Sequence, residues 1–269
     1  MILESARPAR GARMTPTQHL LFLLAVAVAT YAQTMTGFAF GLVLLGLSSL
    51  FALAPLPDMS NTVSILTLIN ALVAIGRSRP HVDWTLLRPA LISSLVGVAL
   101  GVAALDLIHG SMSVILQWLL GLTILVCAFM LVMQARQLAR VSRKPVFVFF
   151  GIISGLLGGL FSSAGPPMVY QLYRQPLPLA VIRNSLLVIF AANAVVRLSL
   201  VTWQGSIHAN TLWMSLEAFP VVVILTWLVR RFASADSIKT VKRMVFVLLI
   251  AAGLGLFVPA SRTIFQMVF

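Results

Sequence analysis

The strongest constraint on this chain is the recurrence of long apolar stretches that carry almost no charge. They run over residues 18–52, 60–76, 85–105, 112–134, 146–173, 180–200, 211–229 and 241–259. A helix of about 20 apolar residues crosses a bilayer, so these eight stretches predict about eight transmembrane segments. Two of them, 18–52 and 146–173, are too long for one straight crossing. The composition agrees, with 60 % hydrophobic and 9 % charged residues and a mean hydropathy of +1.03. A soluble domain carries about 25 % charged residues. A disordered chain needs the opposite balance, and the strands of a membrane barrel alternate polar with apolar residues. The expected fold class is therefore all-α, a polytopic membrane protein embedded in the lipid bilayer.

The net charge of +13 would suggest nucleic acid in a soluble protein. Here the basic residues gather between apolar stretches, where they orient a membrane protein, and no nucleic-acid partner is expected. Arg77 and Arg79, then Arg136, Arg140, Arg143 and Lys144, then Arg230, Arg231, Lys239, Lys242 and Arg243 should face the cytoplasm, together with a basic N-terminus over residues 1–17. That N-terminus, with Arg7, Arg10 and Arg13 before Leu20 to Ala29, also resembles a signal peptide, but the apolar character resumes at once through Thr36 to Ala54. Eight simple crossings from a cytoplasmic N-terminus leave the Arg230 to Arg243 loop outside. One segment must therefore be split or re-entrant, and 146–173 is the natural choice because Gly158, Gly159, Gly165, Pro166 and Pro167 interrupt it.

The two halves of the chain echo one another. Asn61-Thr62 through Asn70-Ala71 recurs as Asn184-Ser185 through Asn193-Ala194, Pro55-Leu-Pro57 as Pro176-Leu-Pro178, and Gly41 as Gly165. Asn and Pro are uncommon inside apolar helices, so matches in type and order point to two related halves with broken helices. The expected organisation is a first repeat over 18–134, a basic cytoplasmic loop over 135–145 and a second repeat over 146–269. Interrupted segments at matching positions of duplicated halves are the sequence mark of a carrier's substrate site.

The broken segments read Thr34-Met-Thr-Gly-Phe-Ala-Phe-Gly41 and Ser154-Gly-Leu-Leu-Gly-Gly-Leu-Phe-Ser-Ser-Ala-Gly-Pro-Pro167. A helix broken in mid-membrane exposes N–H groups and the positive end of its dipole, which suits an anion. Pro166 and Pro167 fit the first turn of a new half-helix. Close packing of small residues is the competing explanation, but paired prolines demand a break that packing does not.

Candidate substrate-binding residues are thus Thr36, Gly37, Gly41, Asn70, Ser162, Ser163, Gly165, Arg183, Asn184 and Asn193. Arg183 is the expected counter-charge for an anion. Arg197 lies fourteen residues further on, about 21 Å along a helix, and is expected to snorkel to the headgroups. Glu217, an acidic residue well inside a span, is a candidate for proton coupling or a partner for an arginine. His19, His81, His109 and His208 are scattered without metal spacing, Cys127 stands alone, and no nucleophile elbow or phosphate-binding loop is present. No enzyme, metal or cofactor is expected.

At these residues the sequence resembles the sulfite exporter TauE/SafE family of membrane transporters. The likeness rests on Thr36-Gly-Phe-Ala-Phe-Gly41, the Pro55-Leu-Pro turn, the Asn61 to Asn70 stretch, Gly155 to Pro167 and Arg183 to Asn193, and spans about residues 20–258. Members carry a longer glycine run before the second break, where this chain has Phe161-Ser-Ser-Ala-Gly-Pro-Pro. The resemblance implies a secondary transporter that moves sulfite, sulfate-like oxyanions or organosulfonates across the bacterial inner membrane by alternating access. A non-transporting subunit of a larger membrane complex and a passive anion channel are the other readings these residues leave open, and a homo-oligomer fits any of the three.

Overall fold

The structure, a computed structural model, describes residues 14–76, 82–107, 113–132, 137–163, 165–232 and 237–268. Arg7, Arg10, Arg13, Arg77, Arg79, Arg136, His81 and His109 lie outside the described residues. Among those described, the chain forms ten α-helices and no strand. They are α1 (Pro16–Thr36), α2 (Phe40–Leu50), α3 (Leu56–Ile75), α4 (Trp84–Leu107), α5 (Ser113–Val132), α6 (Lys144–Phe161), α7 (Gly165–Tyr173), α8 (Leu179–Trp203), α9 (Ala209–Phe232) and α10 (Ser237–Val268). Seven of these helices contain stretches long and apolar enough to cross a membrane, with Phe40–Leu50 and Val114–Met130 shorter. The protein is a multi-pass, all-helical membrane protein.

The two overlong stretches are helical hairpins, and local chemistry sets their turns. Thr15 opens α1 with a capping box, its hydroxyl accepting from the Gln18 amide while the Gln18 side chain accepts from the Thr15 amide. Gly37 closes α1 in the left-handed region at φ +81°, its N–H donating to the Gln33 carbonyl at 2.6 Å. Ala39 follows at φ +82°, and the chain reverses into α2. At the second hairpin Ser162 takes φ +55° after α6, and α7 begins with Pro166 and Pro167 in its first turn. Alanine and serine in that region are strained, and each tip holds one. The far end of α7 returns to the start of α6. Leu138 N–H donates to the Arg174 carbonyl at 2.8 Å, and the Gln175 side chain bonds the amide and hydroxyl of Ser142.

Helix directions follow from the contacts. Asp58 meets His208 and Asn70 meets Thr226, so α3 runs parallel to α9. His19 meets Glu217 while Gln33 reaches Asn70, which aligns α1 with the same pair. Asn61 meets Arg197, so α8 runs against α3. The small residues of α4 and α6 interlock in parallel, Ser93 with Gly151, Gly97 with Gly155 and Gly101 with Gly159. A Cβ at Gly155 would overlap the Ser94 carbonyl, and one at Gly159 the Val98 carbonyl, so only glycine permits this approach. Gly121 meets Phe257 and Gly253 meets Leu125, which sets α5 against α10.

Exchanging each helix of α1–α5 for its counterpart in α6–α10 reproduces the main pairings. The contact of α4 with α6 maps onto that of α9 with α1, and α3 with α9 maps onto α8 with α4. The central pair α3 and α8, and the outer pair α5 and α10, map onto themselves.

With both overlong segments folded back on themselves, α3, α4, α5, α8, α9 and α10 alternate in direction. The junctions after α3, α5 and α9 then share one face, which carries Arg140, Arg143, Lys144, Arg230, Arg231 and Arg243. The split segment at 146–173 accounts for part of this arrangement. A second hairpin at 18–52 accounts for the rest, and it puts the start of α1 on the opposite face from those basic junctions.

Candidate functional site

The two hairpins run in from opposite ends of the bundle and their tips meet inside it. A Cβ on Gly41, just past the first tip, would lie 3.1 Å from the Ser162 carbonyl and 3.2 Å from the Ser163 side chain at the second. Between the tips is a cavity of about 30 Å³, lined by Gly41, Ser162, Ser163, Gly165, Asn193 and Arg197, with Gln33, Ser64 and Thr67 among the others. That volume holds water but not a larger ion, since one water needs about 10–15 Å³. The N-terminal ends of α2 and α7 both border it. The first turn of a helix leaves N–H groups without intrahelical acceptors, so the two ends bring positive partial charge to one point. Pro166 and Pro167 have no N–H, which leaves α2 the richer donor of the two.

Arg197 supplies a full charge. Its expected place among the headgroups is wrong, because it is 1 % exposed and sits inside the bundle. Nε donates to the Gly159 carbonyl at 3.0 Å, and Nη1 donates to Asn61 Oδ1 at 2.8 Å and to Ser64 Oγ at 3.2 Å. Ser64 in turn donates to Ser162 Oγ at 2.8 Å, and Ser162 donates to the Ser60 carbonyl. One hydrogen-bonded chain thus runs from α8 through α3 to the second tip. The Asn61 amide reaches on to the Ser206 carbonyl at 3.0 Å. Among the described residues, no acidic one lines the cavity. Asn193 accepts from Ser94 at 2.9 Å, while its own buried amide nitrogen has no partner.

A second cavity of about 370 Å³ lies on the basic-face side of the tips and is lined by Gly37, Asn70, Arg183, Asn184 and Arg230, with Gln33 and Thr34. Arg183 is among its lining residues; its Nε and Nη2 are buried without hydrogen-bond partners, and its side chain hydrogen-bonds the Tyr173 hydroxyl. Gly37 makes this placement feasible, since a Cβ there would lie 3.2 Å from the Arg183 stem. Gln33 borders both cavities and forms the partition. Its Nε2 donates to Asn70 Oδ1 at 3.0 Å, and Asn70 Nδ2 donates to Thr226 Oγ1 at 2.8 Å.

The residues singled out from the sequence therefore divide. Gly41, Ser162, Ser163, Gly165 and Asn193 gather at the tip cavity, and Gly37, Asn70, Arg183 and Asn184 at the basic-face cavity. Thr36 lines neither. Its hydroxyl is turned onto the Ala32 and Phe38 carbonyls, and its own carbonyl accepts from Tyr173, so it braces the first tip. Glu217 also lies away from both cavities. It pairs with His19 at 2.8 Å rather than with an arginine.

The description "Sulfite exporter TauE/SafE" fits residues 21–256, which include both hairpins and both cavities. The chain belongs to the sulfite exporter TauE/SafE family. A relative from Cupriavidus necator, named probable sulfite/organosulfonate exporter TauE, is 37 % identical over 231 residues, covering 86 % of this chain and 90 % of its own. No solved structure matches the chain.

For a member of this family, the residues that sequence reasoning passed over are instructive. Gln33 was visible as an amide in an otherwise apolar stretch, one turn before the first break. Arg230 was read only as part of a basic loop. Ser64 carried no signal, since a lone serine in a membrane helix commonly bonds its own backbone.

Proposed function

We propose that this protein is a secondary carrier of small sulfur oxyanions or organosulfonates across the bacterial inner membrane. The observation that carries the reading is a fully buried guanidinium, Arg197, beside the N-terminal ends of two broken helices, at a cavity whose described lining holds no carboxylate. A buried charge is costly unless paired, and here its partners are neutral oxygens, so an anion is the natural complement. The sulfur chemistry comes from the relative's name.

The residues proposed to contact the anion are Gly41, Ser163, Gly165, Asn193 and Arg197 at the tips, with Arg183, Asn184 and Asn70 on the approach. Residues 18–134 and 146–269 act as two inverted units, and one rocks against the other in alternating access. The basic face is the cytoplasmic one. The conformation described is open toward that face, because the larger cavity lies on that side while the Arg197–Ser64–Ser162 chain closes the other. An inside-negative potential favours outward movement of an anion by about 2.3 kcal/mol per charge per 100 mV, so export needs no coupled ion. Glu217 has no part in the anion path.

The test is efflux of labelled sulfite from proteoliposomes. The expected result is saturable flux with counterflow, lost in a Ser163→Val/Asn193→Leu double variant that remains folded. Flux that rises without saturating would replace the carrier with a channel, and flux no greater than from empty vesicles would remove anion transport altogether.

A further inference from the structure

The basic-face cavity holds two arginines where one would suffice for a monovalent anion. Arg183 and Arg230 both line it, each within electrostatic reach of the other, and among the described residues no acidic one lies in its walls. Two guanidinium charges facing one cavity repel, and an anion held between them relieves that repulsion. Arg183 lines this cavity and has two nitrogens without hydrogen-bond partners, and at about 370 Å³ the space admits a hydrated tetrahedral anion, whereas the tip cavity does not. Arg231, next in sequence, is engaged elsewhere. Its guanidinium lies over the rings of Trp227 and Phe232, at 5.3 and 5.7 Å.

We propose that this cavity is a separate loading site for a doubly charged tetrahedral oxyanion, held between Arg183 and Arg230 and divided from the transport site by the Gln33–Asn70 bridge. The proposal rests on the carrier reading for its place in a transport path, but the site itself is a matter of binding. Arg183 takes the anion in either charge state. Arg230 supplies selectivity for the second charge, and Arg231 supplies none.

The probes are sulfate and methanesulfonate, which have nearly the same shape and differ by one charge. Their binding would be measured by calorimetry on the full chain in phosphatidylcholine nanodiscs. Wild type is expected to prefer sulfate. Arg230→Gln should weaken sulfate by at least about tenfold while changing methanesulfonate by less than about threefold. Arg230→Lys should retain the preference, Arg183→Gln should weaken both anions, and Arg231→Gln should match wild type. Equal effects of Arg230→Gln on both anions, or an effect of Arg231→Gln like that of Arg230→Gln, would overturn the proposal by reducing it to surface charge. Loss of sulfate binding when phosphatidylglycerol is added would overturn it in favour of a lipid headgroup site. Binding is read without flux, so a chain that binds sulfate selectively but transports nothing would sink the carrier reading and leave the site standing.

Discussion

Arg183 and Arg197 lie on the same helix, fourteen residues apart, and live under opposite rules. Arg197 is sealed in the bundle with three hydrogen bonds to neutral oxygens, while Arg183 holds two buried nitrogens unpartnered beside a cavity. Arg197 brings to the tip cavity a charge whose orientation is fixed by neutral partners, and Arg183 brings to the basic-face cavity a charge with fewer of its donors engaged. Within one helix, then, the two cations share burial and differ in how many of their donors are satisfied.

The sharpest way to break that contrast is Arg197→Met. It strips a donor from Asn61, Ser64 and the Gly159 carbonyl at once, and should cost about 3 kcal/mol or more of stability, because buried acceptors left unpaired forfeit roughly 1–3 kcal/mol each. Thermal unfolding in detergent would show it, and a variant as stable as wild type would make Arg197 a passenger. Arg183→Gln is the converse. Stability should fall by about 1 kcal/mol, the worth of the lost Tyr173 hydrogen bond, while the apparent KM for anion flux rises at least about tenfold.

A smaller effect sharpens the comparison from the other side of the cavity. Gly37→Ala must hold a side chain at φ +81° and crowd the Arg183 stem, so it should lose about 1–2 kcal/mol and also raise KM. A stability loss with an unchanged KM would detach Gly37 from the placement of Arg183. The smallest effect belongs to Glu217→Gln. Its bond to His19 is partly exposed and far from both cavities, so less than about 1 kcal/mol of stability and no flux should be lost. A collapse of flux in this variant would return Glu217 to the transport path.

The contrast between the arginines also marks where sequence reading stops. The overlong apolar stretches and the glycines and prolines that break them were legible, because chain length and backbone sterics act locally. That Arg183 and Arg197 could not both lie at mid-membrane was legible too. Which of them turns inward was not, since that depends on Asn61 and Ser64 arriving on α3, more than 130 residues away in the chain. The direction of α1 was hidden for a similar reason. A hairpin and a full crossing can share one hydropathy profile, and only the packing of α1 beside α9 tells them apart. Thr36 and Glu217 were selected on chemistry alone, and packing turned their side chains to other partners.

The central claim is that an anion moves from the open charge of Arg183 to the closed charge of Arg197. Its most direct test is sulfite flux over a full concentration range in proteoliposomes with an imposed potential, comparing wild type, Arg183→Gln and Arg197→Lys, each confirmed to be folded. Arg183→Gln should raise KM with a nearly unchanged maximal rate, and Arg197→Lys should collapse the maximal rate, because its single point charge cannot serve three oxygens in the geometry of a guanidinium. Wild-type kinetics in both variants would contradict the claim.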